Sequence, residues 1–191
     1  LGDRCLAVTS VSATYTKGEA GEAAAIAARI GARHRFVDTG EFEDPGFVKN
    51  DRDRCFYCKR ELFVVLRRIA DLEGLTHLME GTNLSDLGDH RPGLRAAKEM
   101  SIRQPLWEAG LTKDDVRSLS RELGLPAWDR PANACLASRV PYGTPITPAV
   151  LEKIARAEEF LKGLGLALVR VRAHGNVARI ETDDGGFATI T

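Results

Sequence analysis

Four cysteines, a glycine-centred turn and a set of spaced arginines are the residues of this chain that could do chemistry. Cys55 and Cys58 stand as C-x-x-C within Asp53-Arg54-Cys55-Phe56-Tyr57-Cys58-Lys59, where a polar loop is predicted to pass into a helix. That spacing lets two thiolates reach one metal centre, and N–H groups at a helix start favour the thiolate form. Cys135 lies far along the chain in a loop, Ala134-Cys135-Leu136-Ala137-Ser138-Arg139. Three cysteines can hold three irons of a [4Fe–4S] cluster and leave the fourth iron open to an exogenous ligand such as sulfide. A zinc site completed by His34, His90 or His174, a redox pair, and inert thiols are the other readings. Cys5, inside an apolar strand, reads as a buried small side chain.

A second group is Glu80-Gly81-Thr82-Asn83-Leu84-Ser85-Asp86, directly after an expected strand. Ligands bind at the carboxyl ends of strands in parallel sheets, and a glycine lets the backbone come close to a phosphate or ribose. Gly81, Thr82, Asn83 and Asp86 are therefore candidate nucleotide contacts, with Asp86 a possible Mg²⁺ ligand. A self-bonded turn is the plainer reading, and a lone His90 just beyond is as well explained by solvation as by catalysis. The third group is basic. Arg139, Arg170 and Arg172 could cluster to bind phosphate oxygens in pairs, or Arg170 and Arg172 could line an exposed strand face. Glu158, on the helix between, reads as surface unless it faces the same pocket.

The elements that would position these groups alternate. Leu6-Ala7-Val8-Thr9 suits a buried strand; from Glu19 a helix carries Ala20, Ala23, Ala24, Ala27 and Ile30 to a stop at Gly31. Phe36 to Thr39 reads as the next strand, Asp44 to Arg54 as a loop, and Cys55 onward as a helix with the stripe Leu62, Val65, Leu66, Ile69 and Leu72. His77 to Glu80 reads as a third strand and Gly93 to Met100 as a short helix. Thr112, with Asp115 in the capping-box position, starts a helix bearing Val116, Leu119 and Leu123 that Gly124 ends. Strand and helix in alternation imply a parallel α/β sheet over residues 1–130. Past Pro131 the pattern changes. Thr147-Pro148 caps a helix to about Lys162 with Leu151, Ile154, Ala157 and Leu161 on one side. Val169, Val171 and Ala173 alternate with Arg170 and Arg172, and His174-Gly175-Asn176 turns the chain back. Residues 131–191 thus read as the beginning of a small α+β domain.

Composition sets the outer bounds. Hydrophobic residues at 43% and charged residues at 28% are globular values, and 27 basic residues balance 27 acidic ones. A long-range pull toward nucleic acid or anionic membrane is not expected. No apolar run approaches the roughly 20 residues that span a bilayer, no signal peptide is visible, and the cysteines are too few for a secreted disulfide framework. A reducing cytoplasm is the default location.

Taken together, these motifs resemble the LarE-type sulfur transferases of nickel-pincer cofactor synthesis, within the PP-loop ATP pyrophosphatases. The similarity rests on the C-x-x-C segment, on Glu80 to Asn83 with Asp86-Leu87-Gly88-Asp89, and on Arg91 to Ala97. It continues through Pro105-Leu106, Glu108 to Lys113, Ala134 to Arg139, Pro141 to Pro145 and Val169 to Arg172. The resemblance implies an adenine-nucleotide α-hydrolase-like (Rossmann-like) sheet, ATP with Mg²⁺, and a homo-oligomer when intact. It implies that ATP adenylylates a carboxylate of pyridinium-3,5-dicarboxylate mononucleotide and that sulfur then displaces AMP. Members with one cysteine at the position of Cys135 sacrifice its sulfur and become dehydroalanine; members with the added C-x-x-C relay sulfide on a [4Fe–4S] cluster. Ser138, Arg139, Arg170 and Arg172, with Glu158, would line the substrate pocket. The family's pyrophosphate-gripping loop and first strand are expected before Leu1, and the far half of the second domain after Thr191, so the chain reads as truncated at both ends. A cluster-dependent tRNA thiolase of the same superfamily and a non-catalytic zinc-binding module are the rival readings; neutral charge and the lack of a basic extension count against the first.

Overall fold

The computed structural model describes residues 4–88, 91–126, 128–131 and 133–190. The first half runs β1 (Leu6–Val11), α1 (Lys17–Arg29), β2 (Arg33–Asp38), α2 (Pro45–Val48), α3 (Arg54–Glu73), α4 (Pro92–Glu99), α5 (Pro105–Glu108) and α6 (Lys113–Glu122). The second runs α7 (Pro148–Gly163), β3 (Val169–His174), β4 (Val177–Thr182) and α8 (Asp184–Ile190). No helix among the described residues is long and apolar enough to cross a membrane.

Thr16 starts α1 with a capping box: its hydroxyl accepts from the Glu19 N–H, and the Glu19 carboxylate accepts from the Thr16 N–H. Gly31, at φ 64°, turns the chain out of the helix in the left-handed region that a residue without Cβ enters freely. The helix carries the chain back so that β1 and β2 pair in parallel, Leu6 opposite Arg33 and Val11 opposite Asp38. The expected parallel α/β arrangement is present in this pair. The expected third strand is not: His77 to Glu80 contributes one parallel bridge, Met79 to Arg103, and Met79 is largely exposed. Two apolar residues bury too little to extend that bridge into a ladder.

Two other expectations need correction. Asp44 to Arg54 is not loop throughout, because the Asp44 side chain accepts from the Gly46 N–H and Pro45 sits in the first turn of α2. Pro45, within the segment expected as loop, begins a helix. On α3 the buried stripe is Phe56, Phe63 and Ala70, seven residues apart, while Leu72 is 86% exposed. Phe56 and Phe63 pack with Ala96 and Ala97 of α4 and with Ile102. The α6 helix begins as expected with reciprocal Thr112 and Asp115 caps, yet Leu119 and Leu123 face outward.

The second half begins with Thr147, whose hydroxyl accepts from the Val150 N–H at the start of α7. Its inner face is Leu151, Ile154, Leu161 and also Glu158. β3 and β4 form the expected antiparallel hairpin. His174 faces Val177 across the two-residue turn Gly175-Asn176, with Gly175 at φ 60° as such turns require.

One apolar core joins the halves. Phe47 of α2 packs with Leu136, Ala137, Val140 and Ile146, and with Leu151 and Ile154 of α7. At its edge Asn50 is fully buried at φ 56°, a left-handed conformation that asparagine tolerates. Its amide donates to the carbonyls of Pro141 and Thr144, both at 2.8 Å, and of Val140 at 3.4 Å. Its backbone carbonyl accepts from Gly143 N at 2.9 Å. Asn50→Ala removes all three amide bonds, after which only the Pro141 carbonyl keeps another donor among the described residues, Thr144 N. It also places at φ 56° a residue that tolerates the left-handed region less well than asparagine, the two effects together costing about 2–4 kcal/mol. The urea midpoint of the variant should fall accordingly; an unchanged midpoint would show that water replaces the amide.

Candidate functional site

Cys55 and Cys58 lie in the first turns of α3, Cys55 exposed and Cys58 half-buried. Arg54, one residue earlier, donates from Nη1 to Asn50 Oδ1 at 2.6 Å and stacks 4.4 Å from the Tyr142 ring centre. The same asparagine that joins the halves thus anchors the residue beside the cysteine pair.

Cys135 precedes a 3-10 turn, Leu136–Arg139, and its carbonyl accepts from Ser138 N at 2.9 Å. The next residue is tied to the β1–α1 loop, since Leu136 N donates to the Thr14 carbonyl at 2.8 Å. Burial pushes the Cys135 thiol up, and Cys55 adds to that; Arg54 and the N–H groups of Ser138 and Ala137 pull it down. Burial also pushes Cys58 up, followed by Glu41, Cys135 and Cys55, with Lys59 opposing. Cys135, distant in sequence, is therefore within electrostatic reach of the C-x-x-C pair. Half-exposed Tyr15 lies within electrostatic reach of Cys58 and Cys135. Cys5 stands just before β1 rather than within it and is half-buried.

Among the described residues, no three of His, Cys, Asp and Glu converge closely enough to hold a single metal ion. His34 is bonded to Thr9 Oγ1 at 2.9 Å, His174 ends β3, and His90 lies outside the described residues, as does Asp89. A zinc ion would need all its sulfurs about 2.3 Å from one point. A [4Fe–4S] cluster would bind each thiolate at a different iron.

Arg139 is the most thoroughly bonded side chain here. It is 1% exposed, with Nε donating to Glu158 Oε1 at 2.9 Å and Nη2 to Glu158 Oε2 at 3.4 Å and Asn133 Oδ1 at 3.0 Å. Nη1 donates to the carbonyls of Ala134 (2.5 Å) and Cys135 (3.3 Å) and to Ser138 Oγ (2.9 Å). Glu158 Oε1 also accepts from Val171 N at 3.0 Å. Arg139 and Glu158, expected among the substrate ligands, are spent on each other and on the cysteine loop, so their observed part is to position it. Arg170 and Arg172 share the outward face of β3, opposite buried Val169 and Val171. Arg172 donates from Nε to Glu181 Oε1 at 2.7 Å and from Nη1 to the Ser138 carbonyl at 3.0 Å. The cysteine loop and the basic strand are thereby in direct contact.

The glycine turn is self-contained. Thr82 donates to Glu80 Oε1 at 2.9 Å, Asp86 accepts from Asn83 N at 3.1 Å and pairs with Arg91 at 2.9 Å, and Gly81 is exposed. Asp86 is thus committed to the turn and to Arg91. The turn reaches the cysteines through Lys59, which ion-pairs with Glu80.

Two cavities lie nearby. One of about 1130 Å³ opens at the carboxyl ends of β1 and β2, beside Thr16, Asp38 and one flank of α7; Gly81, Thr82, Asn83 and Asp86 do not line it. The other, about 420 Å³, is walled by Arg130, Asn133, Arg170, Glu181 and Thr182.

Sequence reasoning missed Asn50, Arg54, Thr14 and Glu41. Glu41 is 1% exposed; its Oε1 accepts from Thr14 Oγ1 at 3.4 Å and its Oε2 has no protein partner. Arg54 was visible as the residue before the C-x-x-C; nothing in the sequence marks the other three.

No family model matches the chain. It is 44% identical over 181 residues to the uncharacterized protein slr1717 of Synechocystis, covering 95% of this chain and 68% of that one. It is 36% identical over 179 residues to the pyridinium-3,5-bisthiocarboxylic acid mononucleotide synthase of Lactiplantibacillus plantarum, covering 94% of this chain and 65% of the synthase. It is 34% identical over 137 residues to the uncharacterized protein MJ0830 of Methanocaldococcus jannaschii, covering 72% and 54%. The chain therefore spans about half to two thirds of the length of these relatives.

Arg139→Ala strands Glu158 in the interior and should cost about 3–5 kcal/mol, as breaking a buried pair from one side does. In metal-free protein the Cys135 thiol should then alkylate at a rate nearer that of exposed Cys55, read by peptide mass spectrometry. Unchanged protection of Cys135 would mean that the pair does not hold its loop.

Proposed function

The chain belongs to the family of the Synechocystis protein slr1717, and we propose on that premise that the intact protein is an ATP-dependent sulfur transferase acting on a carboxylated pyridinium mononucleotide. The homologous synthase is named for a product of that class, in which thiocarboxylates stand where carboxylates would. The observation that supports the reading is the contact between the Cys135 loop and the basic strand: the Ser138 carbonyl accepts from Arg172, which ties the proposed sulfur-handling thiol to the strand proposed to bind phosphate.

The chemistry runs in two balanced steps. A substrate carboxylate oxygen attacks the α-phosphorus of ATP; the new O–P bond forms as the bond to the β-phosphate oxygen breaks, and pyrophosphate leaves. Hydrosulfide then attacks the activated carbonyl carbon, the C–S bond forms, the C–O bond to AMP breaks, and the sulfur proton passes to solvent. A carboxylate becomes an adequate electrophile only when its oxygen leaves as AMP. Cys55, Cys58 and Cys135 are the residues that would hold a [4Fe–4S] cluster, which when bound supplies an open iron to carry sulfide. Arg54 holds negative charge near Cys135, and Arg139 with Glu158 fixes the loop. Arg170 and Ser138 stand at the substrate side, with Arg172 joining that side to the loop. Gly81, Thr82, Asn83 and Asp86, which stand outside the larger cavity, remain proposed contacts for the part of the nucleotide that extends beyond it, requiring Asp86 to exchange Arg91 for Mg²⁺.

Cys55→Ser or Cys58→Ser in the whole protein, prepared anaerobically, should abolish iron binding and sulfur transfer but leave pyrophosphate release intact. After turnover with sulfide, mass spectrometry should find Cys135 chemically unchanged. Dehydroalanine at position 135 in iron-loaded protein overturns the cluster and restores a sacrificial cysteine. Separately, Arg170→Ala should weaken mononucleotide binding by about 1–3 kcal/mol, as loss of a charge-assisted contact does, and leave iron content unchanged. Equal affinities would reduce the basic strand face to a solvated one.

A further inference from the structure

Lys162 occupies a place that neither the motifs nor the cysteine site explain. It lies in the last turn of α7 and makes no ion pair among the described residues. Of all the side chains lining the two cavities, it alone lines both. Leu151, Ala155, Glu158 and Lys162 recur at helical spacing along one flank of α7 and all border the larger cavity. Glu158, one turn earlier, is already bound to Arg139 and to Val171 N. Of the two cations that α7 lends to the larger cavity, Arg156 and Lys162, only Lys162 also lines the smaller.

The shapes suit two ligands that must meet. The larger cavity, about 1130 Å³, opens at the carboxyl ends of two parallel strands, where nucleotides bind in such sheets. The smaller, about 420 Å³, carries Arg170 and Arg130 and fits one end of a phosphorylated mononucleotide. Bringing a carboxylate to the α-phosphate of ATP sets two anions face to face, and their repulsion grows as water leaves. A mobile ammonium at the partition offsets it, and a lysine is a compact charge on a flexible stem.

Resting on the sulfur-transferase reading, we infer that Lys162 is the catalytic cation at which ATP, in the larger cavity, meets the carboxylate of the mononucleotide, in the smaller. It contacts the α-phosphoryl oxygens as the carboxylate oxygen attacks and pyrophosphate departs. It is itself neither proton donor nor nucleophile. A lysine at a helix end also interacts favourably with the exposed carbonyls there, but that role would affect stability and leave the rate alone.

The test uses the whole protein as wild type, Lys162→Ala and Lys162→Arg. Equilibrium binding is measured for a non-hydrolysable ATP analogue and for the pyridinium mononucleotide separately. Single-turnover pyrophosphate release is then measured with ATP and mononucleotide together. Lys162→Ala should slow that release about 100-fold, the scale of losing one preorganised charge-stabilising donor, while both separate affinities and the melting temperature stay close to wild type. Lys162→Arg should recover part of the rate. A wild-type rate in Lys162→Ala overturns the inference and leaves the sulfur-transferase reading standing, as does a rate loss matched by an equal loss of melting stability without rescue by arginine. Wild-type protein that binds both ligands yet releases no pyrophosphate overturns that reading, and Lys162's part with it.

Discussion

The arrangement of the cysteine site depends on a guanidinium and a carboxylate removed from water together. Neither Arg139 nor Glu158 could be buried alone, since an isolated charge in the interior costs several kcal/mol even after relaxation. Paired, they still leave donors to satisfy. Every nitrogen of the guanidinium has an acceptor, drawn from Asn133, Ala134, Cys135, Ser138 and Glu158. The loop around Cys135 is therefore wrapped on one side chain, and Glu158 passes the constraint to β3 through Val171 N. Moving the loop would uncover a charge as well as the core residues Leu136, Ala137 and Val140, so electrostatics and packing fix its position together.

Around this frame the cysteine thiols sit under opposing influences. Burial holds Cys58 and Cys135 in the protonated form, and the Cys135 thiol has Arg54 and two backbone N–H groups waiting on the ionised one. A metal bound by these thiols would displace protons, because the ligand must be the thiolate. Two buried polar atoms lack protein partners among the described residues, Glu41 Oε2 and Arg54 Nε, and they belong to the residues that act on Cys58 and Cys135 respectively. Buried groups left unpaired concentrate where a protein trades stability for function.

What was legible in the sequence was local. Thr112 with Asp115, Thr147 with Pro148, and Gly175-Asn176 signal caps and a turn through bonds that span three or four residues, and each stands where the pattern put it. What failed was tertiary. Leu72 fits a helical stripe but has nothing to pack against, whereas Phe56, Phe63 and Ala70 meet neighbours that only the fold supplies. Arg139 reads as a phosphate ligand because an arginine's partners are invisible in sequence; its carboxylate is 19 residues away on another element. Asn50 is one asparagine in a polar stretch, and only its left-handed backbone and three carbonyl acceptors reveal a hub. The cysteines stand out because thiol chemistry depends on residue type, but the placing of Cys135 within electrostatic reach of the C-x-x-C was not deducible from spacing.

The bonds of Asn50 to Val140, Pro141 and Thr144 have a kinetic consequence, for they connect residues 90, 91 and 94 positions apart. Closing a loop of that length carries an entropic cost that only the finished contacts repay, so long-range pairings of this kind form late. The helix that bears Cys55 and Cys58 can be complete on a nascent chain while Cys135 is still unmade or far away. During that interval the helix presents a two-thiol hook with an open side. Order of synthesis thus gives the pair a first opportunity to capture a metal or an oxidant before the third thiol arrives. The state of the thiol pair when Cys135 reaches it is then set by the relative speeds of chain closure and adventitious capture.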